Sequence, residues 1–353
     1  MISPKETLLF YLGHPAHYHN ISVVIKKLSE KGFHIILVAR GKDVLFDLLD
    51  GLPYQIIFIK TKKEKRKLSL ISTVLKRELV LLKVVLKYRP KMLIGTDIAI
   101  THIGKLMQIP AVILNEDDAK EVPLFTNFGI KYATAVLAPN CCDVSPYNNK
   151  KVGYQGYHEL AYLHPNYFTP DKTKIKELFT EDENYFIIRF AELTAHHDKG
   201  KKGINLSIAK KLIDQLAPFG RVYITSERKL EPELEPYRIK IHPKNMHHAL
   251  YYAQMYIGDS QTMAAEAAVL GTPSIRFNDF VGKLSYLEEL EHKYQLTFGI
   301  PTNHVNALFE KVDELLKHKS IKKVFSQRKE VMLNDCIDVV EFWTDYFMKN
   351  KKK

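Results

Sequence analysis

Short uninterrupted apolar runs alternate with stretches of three- and four-residue apolar spacing along most of the chain. Thr7–Leu12 reads as a strand. After a loop, Ile21, Val24, Ile25 and Leu28 share one face and predict a helix over 21–30, stopped by Lys31-Gly32. Ile35–Ala39 is the next strand. Strands at Gln55–Ile59, Met92–Gly95, Ala111–Leu114 and Ala135–Leu137 follow, with helices over about 67–88 and 98–107. A second series begins beyond the turn-rich segment 153–171. It runs from a strand at Tyr185–Arg189 through a helix at Leu206–Leu216 to a strand at Arg221–Thr225. Arg238–Ile241, His247–Ala253, Met255–Ile257, Thr262–Leu270 and Ser274–Phe277 continue the alternation. Strands that are apolar throughout are buried on both faces, which predicts parallel sheets covered by helices. Two such halves, joined near 154–170, predict an α/β chain of two doubly wound domains facing a cleft, 1–155 and 156–353. Ligands of such sheets sit at the carboxyl ends of the strands.

A length of 353 residues agrees with about two domains. With 46% apolar and 26% charged residues the chain has the composition of a globular protein. Lys and Arg (52) outnumber Asp and Glu (40), a net charge of +12 that points to nucleic acid, an anionic membrane surface or a phosphorylated small molecule. No nucleic-acid recognition module is visible, and aromatics do not interleave with the basic runs, so nucleic acid is not expected. The run Lys62–Lys67 with the helix after it reads either as a solvated sheet-covering face or as a patch for anionic lipid. The longest apolar stretch, 68–86, is broken by Lys76, Arg77, Glu78 and Lys83, so no membrane span is expected. Residues 1–12 do not read as an export signal. Cys141, Cys142 and Cys336 make neither a disulfide framework nor a CxxC pair. A cytoplasmic location is expected, with peripheral attachment to the inner face of the membrane as its variant.

Candidate chemistry gathers just after strands. Gly258-Asp259-Ser260-Gln261-Thr262 opens a helix in which Glu266 lies one turn further on. Hydroxyl residues at a helix N-terminus leave amides and a positive dipole end for a diphosphate, and Glu266 can accept from ribose hydroxyls; the ordinary reading is a capped helix with a surface Glu. The first strand ends in Gly13-His14-Pro15-Ala16-His17-Tyr18-His19, read as a loop whose imidazoles can serve as a general base. HxxHxH in a loop is not a zinc spacing, and no metal is expected. Asp97 and Glu116-Asp117-Asp118 follow two further strands, as bases or hydroxyl-holding groups on one reading and as helix caps on the other. In the second half, the loop from Arg189 through Lys199 to Gly203 faces the cleft and lacks the P-loop pattern.

Gly13-His14-Pro15-Ala16-His17-Tyr18-His19, the segment from Tyr154-Gln155-Gly156-Tyr157-His158-Glu159 to His164-Pro165, and Met246-His247-His248 through Gly258-Asp259-Ser260 to Gly271-Thr272-Pro273-Ser274-Ile275-Arg276 resemble the family known as domain of unknown function 354. That family looks like part of the GT-B superfamily, which includes the transferase that adds N-acetylglucosamine to lipid I and the UDP-N-acetylglucosamine 2-epimerases. The resemblance implies a GT-B fold: an acceptor domain, a donor domain, and last helices, about 321–348, packing back on the first domain. The His17 turn is similar to the transferase's GGH turn, and Glu116-Asp117-Asp118-Ala119 to its HEQNA stretch. Asp259-Ser260 with Glu266 resembles the epimerases' DSGG…E segment, with Gln261-Thr262 in place of the glycines. Asp97 and Glu116 lie where the epimerases carry acidic catalytic residues, whereas their GTRPE arginine is absent.

The implied function is a glycosyltransferase using a nucleotide-diphosphate sugar, UDP-linked by resemblance, in cell-surface glycan synthesis. A 2-epimerase or nucleotide-sugar hydrolase, and a non-catalytic nucleotide- or glycan-binding protein, are the alternatives. His17, or failing that Glu116, would be the base. Asp259, Ser260, Gln261, Thr262, Glu266, Arg189, Lys199 and Arg276 would hold the nucleotide sugar. His14, His19, Asp117 and Asp118 would meet a glycan or lipid-linked acceptor. No cofactor is expected, the nucleotide sugar being a substrate.

Overall fold

A computed structural model of the chain describes residues 6–41, 43–59, 67–179, 184–191 and 203–352. The first unit comprises 1–162 and 337–353, the second 163–336. The first contains β1 (Thr7–Leu12), α1 (Pro15–Glu30), β2 (His34–Arg40), α2 (Asp43–Leu49), β3 (Gln55–Ile59), α3 (Lys67–Tyr88), β4 (Met92–Gly95), α4 (Ile98–Met107), β5 (Ala111–Leu114), α5 (Pro123–Phe128), β6 (Ala135–Pro139) and β7 (Lys151–Tyr154). The short α6 (Leu160–Leu163) follows, and the division into units falls within it. The seven strands of the first unit lie in the order β3-β2-β1-β4-β5-β6-β7, all parallel. Leu8 to Leu12, Ile36 to Ala39 and Met92 to Ile94 are fully enclosed, as continuous apolar strands between helical layers must be.

The second unit contains β8 (Tyr185–Phe190), α7 (Leu206–Leu216), β9 (Arg221–Ser226), α8 (Met246–Tyr252), β10 (Met255–Gly258), α9 (Gln261–Leu270), β11 (Ser274–Phe277), α10 (Ser285–His292), β12 (Thr297–Ile300), α11 (Val305–Lys317) and α12 (Ile321–Asp335). Its parallel sheet has the order β12-β11-β10-β8-β9. The final helix α13 (Val339–Asn350) belongs to the first unit, while α12 belongs to the second. Trp343 and Phe347 of α13 are fully buried, Phe347 edge-on to Phe10 of β1 at 6.2 Å.

Two local expectations change. The His-rich stretch is not a loop: α1 starts at Pro15, so His17, His19 and Asn20 ride on its first turns. Proline is preformed for the first helical position, where its missing N–H costs nothing. Arg238–Ile241 forms no strand, only an isolated bridge from Arg238 to Ile224. No helix among the described residues is long and apolar enough to cross a membrane. The basic run 62–66 lies outside the described residues.

Candidate functional site

In each sheet the strand order reverses once, between β1 and β4 in the first unit and between β8 and β10 in the second. Loops leaving such neighbours diverge to opposite faces and open a crevice at their carboxyl ends. In the second unit that crevice is bordered by Asp259 after β10 and Ala191 after β8. The Asp259 carboxylate is almost completely buried; its Oδ1 accepts from the Ala191 amide at 2.5 Å, and its Oδ2 has no hydrogen-bond partner among the described residues. Burial pushes its pKa from 3.8 to about 6, opposed by the Ala191 amide and the Arg228 charge. Gly203 permits this closeness, since a Cβ there would sit 2.5 Å from Oδ2.

Ser260 caps α9, its hydroxyl accepting from the Met263 amide at 3.4 Å, and no acidic residue stands in the first turn. Gln261 and Thr262 are half-buried beside it. The head of α9 thus offers amide donors and a positive dipole end at the strand-order reversal. Glu266, on the second turn, is buried and meets His247 Nε2 at 3.0 Å. It is an inner-wall residue of the α8–α9 contact, not the surface residue of the ordinary reading. Arg189 pairs with Glu227.

Arg276, expected at the nucleotide, is instead fully enclosed, its Nη2 held by Glu288 at 2.7 Å and Glu291 at 2.8 Å. Glu288 also accepts from the Gly282 amide and Glu291 from the Gly299 amide, so Arg276 joins a network that ties β11 to α10. Lys199 lies outside the described residues, as does all of 192–202.

In the first unit His14 caps α1, Nδ1 accepting from the Ala16 amide at 3.3 Å. His17 Nδ1 accepts from the Gly13 amide at 3.2 Å. A neutral imidazole that accepts at Nδ1 carries its hydrogen on Nε2, so the outer nitrogen of His17 is a donor. His19 stacks on Tyr162 at 5.5 Å. Asp97 caps α4 through the Ala99 amide (2.9 Å) and pairs with Arg77 Nη1 at 3.1 Å. Glu116, after β5, lies 3.3 Å from Nδ1 of His158, which accepts from the Asn20 side-chain amide at 3.2 Å. Burial drives the His158 pKa down to about 3, so Glu116 faces a neutral ring. Cys142 Sγ donates to the Glu116 carbonyl at 3.0 Å. Asp118 is buried and accepts from the Asp143 amide at 2.7 Å, while the Asp117 carbonyl accepts from Asn115. Among the described residues no group of three or more His, Cys, Asp or Glu side chains could hold a metal ion.

The model of the family described as Protein of unknown function (DUF354) matches residues 9–341. The chain belongs to the DUF354 family. No functionally curated protein matches it. Among solved structures it resembles a glycosyltransferase of kitacinnamycin (8% identity, covering 98% of this chain and 99% of that one, TM-score 0.64). It also resembles UDP-GlcNAc 2-epimerase from Neisseria meningitidis bound to UDP-GlcNAc (11%, 93% and 99%, 0.64) and MurG from Acinetobacter baumannii (13%, 98% and 100%, 0.58). At these identities the likeness carries the fold: this DUF354 member has the GT-B architecture of two Rossmann-like units.

Several residues of the DUF354 chain enter only through the structure. Arg40 ends β2, a strand-end position open to inspection in the sequence. Tyr11 read as core, and Arg77 as one charge on a long helix. The place of His158 is not visible in sequence, because its neighbour Glu116 lies 42 residues earlier in the chain.

Proposed function

We propose that this DUF354 protein is a glycosyltransferase using a nucleotide-diphosphate sugar, a UDP-sugar on the superfamily resemblance, in cell-surface glycan synthesis. The observation that carries the reading is the head of α9 at the strand-order reversal of the second unit, where Ser260, Gln261 and Thr262 surround the helix amides. Those amides would hold the diphosphate, and the helix dipole would stabilise the negative charge that develops as it leaves. The acceptor would bind the first unit. Glu116 would serve as the base, a carboxylate at the carboxyl end of β5 beside a neutral imidazole. His17, a donor at Nε2, would hold an acceptor oxygen rather than take its proton. The 2-epimerase alternative needs Asp97 as an acid or base, and Asp97 is occupied by Arg77 and the Ala99 amide.

The test is a thermal-shift panel of UDP, GDP, CDP and ADP on the wild type and Glu266→Gln. A ligand at 100 times its dissociation constant adds about 2.7 kcal/mol of stability. A shift with one nucleotide that falls in the variant supports the reading; no shift with any nucleotide refutes it. Incubation with the nucleotide sugar alone should give little turnover, whereas rapid turnover would favour an epimerase or hydrolase.

A further inference from the structure

The first unit carries a cluster that the proposed reaction does not use. It stands at the reversal between β1 and β4, where a doubly wound sheet takes its ligand. Four side chains meet there from different elements: Tyr11 on β1, Arg40 at the end of β2, Arg77 on α3, and Asp97 after β4. Gly95 lets β4 close against β1, since a Cβ on it would lie 2.5 Å from the Tyr11 carbonyl. The charges of Asp97, Arg77 and Arg40 all act on the buried Tyr11 phenol.

The cluster is not internally balanced. Arg77 pairs with Asp97 at 3.1 Å, while Arg40 pairs with no carboxylate among the described residues. Among the described residues one positive charge is therefore in excess. Nε of Arg40 and Nε of Arg77 are buried without a hydrogen-bond partner among the described residues, and the Tyr11 phenol, whose oxygen accepts from Arg77, keeps its own hydrogen to donate. Buried unmade donors are destabilising, and three on three elements beside a surplus cation ask for one anionic partner. The head of α1 adds to the field: its first turn has no acidic residue, and His17 and Arg40 both lie against Gly13.

We infer that this cluster is an oxyanion subsite that takes the phosphate ester group of a phosphorylated acceptor. A phosphate presents at least three oxygens to three donors, a carboxylate only two, and a neutral sugar hydroxyl would leave the surplus charge unmatched. The identity of the ligand as acceptor rests on the glycosyltransferase reading. The subsite itself does not.

The probe is glycerol 1-phosphate, titrated calorimetrically into the full chain, with acetate as the carboxylate comparison. Arg40→Gln removes the unpaired charge and orphans no carboxylate; Tyr11→Phe removes one buried hydroxyl at nearly constant volume. The expected result is binding to the wild type that weakens about tenfold or more in Arg40→Gln and about threefold or more in Tyr11→Phe, both variants folded by circular dichroism. Acetate should bind more weakly than the phosphate ester. No binding, equal binding in Arg40→Gln, or acetate equal to phosphate would overturn the inference. UDP titrated in parallel separates the two claims, because Arg40→Gln should bind it as the wild type does. Loss of UDP binding in all proteins, with Arg40-dependent phosphate binding intact, would sink the donor reading and leave the subsite standing.

Discussion

Replacing Asp259 by asparagine should stabilise the protein at neutral pH. The carboxyl group is almost completely buried at the strand-order reversal of the second unit, and burial lifts its pKa from 3.8 to about 6. A raised carboxyl pKa means that the folded state holds the proton more tightly than the unfolded chain. The stability this contributes is complete below about pH 3.8 and is lost as pH rises through about 6. At 1.36 kcal/mol per pH unit, the gap corresponds to roughly 3 kcal/mol of destabilisation above pH 7. Asparagine has no charge to bury, and its side-chain oxygen can keep accepting from the Ala191 amide. Asp259→Asn should therefore match the wild type near pH 4 and lead it by up to about 3 kcal/mol near pH 7.5. The assay is urea unfolding across that range, followed by far-ultraviolet circular dichroism, because Trp343, the only tryptophan, belongs to the first unit. A stability difference that does not change with pH, or a less stable variant at pH 7.5, would refute the argument.

Further outcomes follow from the same geometry. Glu116→Gln should lower kcat for transfer by about a hundredfold or more with nucleotide affinity unchanged, the loss typical of a general base; His17→Ala should cost less, about tenfold, since it removes a donor. Steady-state kinetics with separate nucleotide titrations would show it, and an unchanged kcat in Glu116→Gln would remove that residue from the chemistry. Trp343 stands edge-on to Tyr154 and His158 at 5.8 and 5.1 Å, fully buried. Trp343→Ala should cost about 3–5 kcal/mol, read as a lower midpoint in the transition of the first unit, and a loss below about 1 kcal/mol would mean that α13 is not part of its core.

The sequence by itself determined the local elements and their caps. Leu8–Leu12 and Ile35–Ala39 are apolar at every position, which fits only strands buried on both faces, and Asp97 and Ser260 cap α4 and α9 through groups two and three residues away. The start of α1 is also legible from Pro15, which is preformed for the first helical position. These features follow from neighbours in the chain, so composition and spacing carry them. The GT-B expectation came from motif resemblance, and the two sheets agree with it.

Pairing over distance was decided only by the tertiary structure. Asp97 looks like a free acid until α3 brings Arg77 against it, and the buried His158 beside Glu116 arrives only when the chain returns. Arg276 looked like a ligand-facing cation, and only the course of α10 shows Glu288 and Glu291 waiting for it. The excess charge of Arg40 is equally invisible in sequence, because it depends on which carboxylates of the described residues come near it. Titration and ion pairing are set by burial and by charges a few ångströms away. The fold brings those charges from tens of residues along the chain, where no local pattern records them.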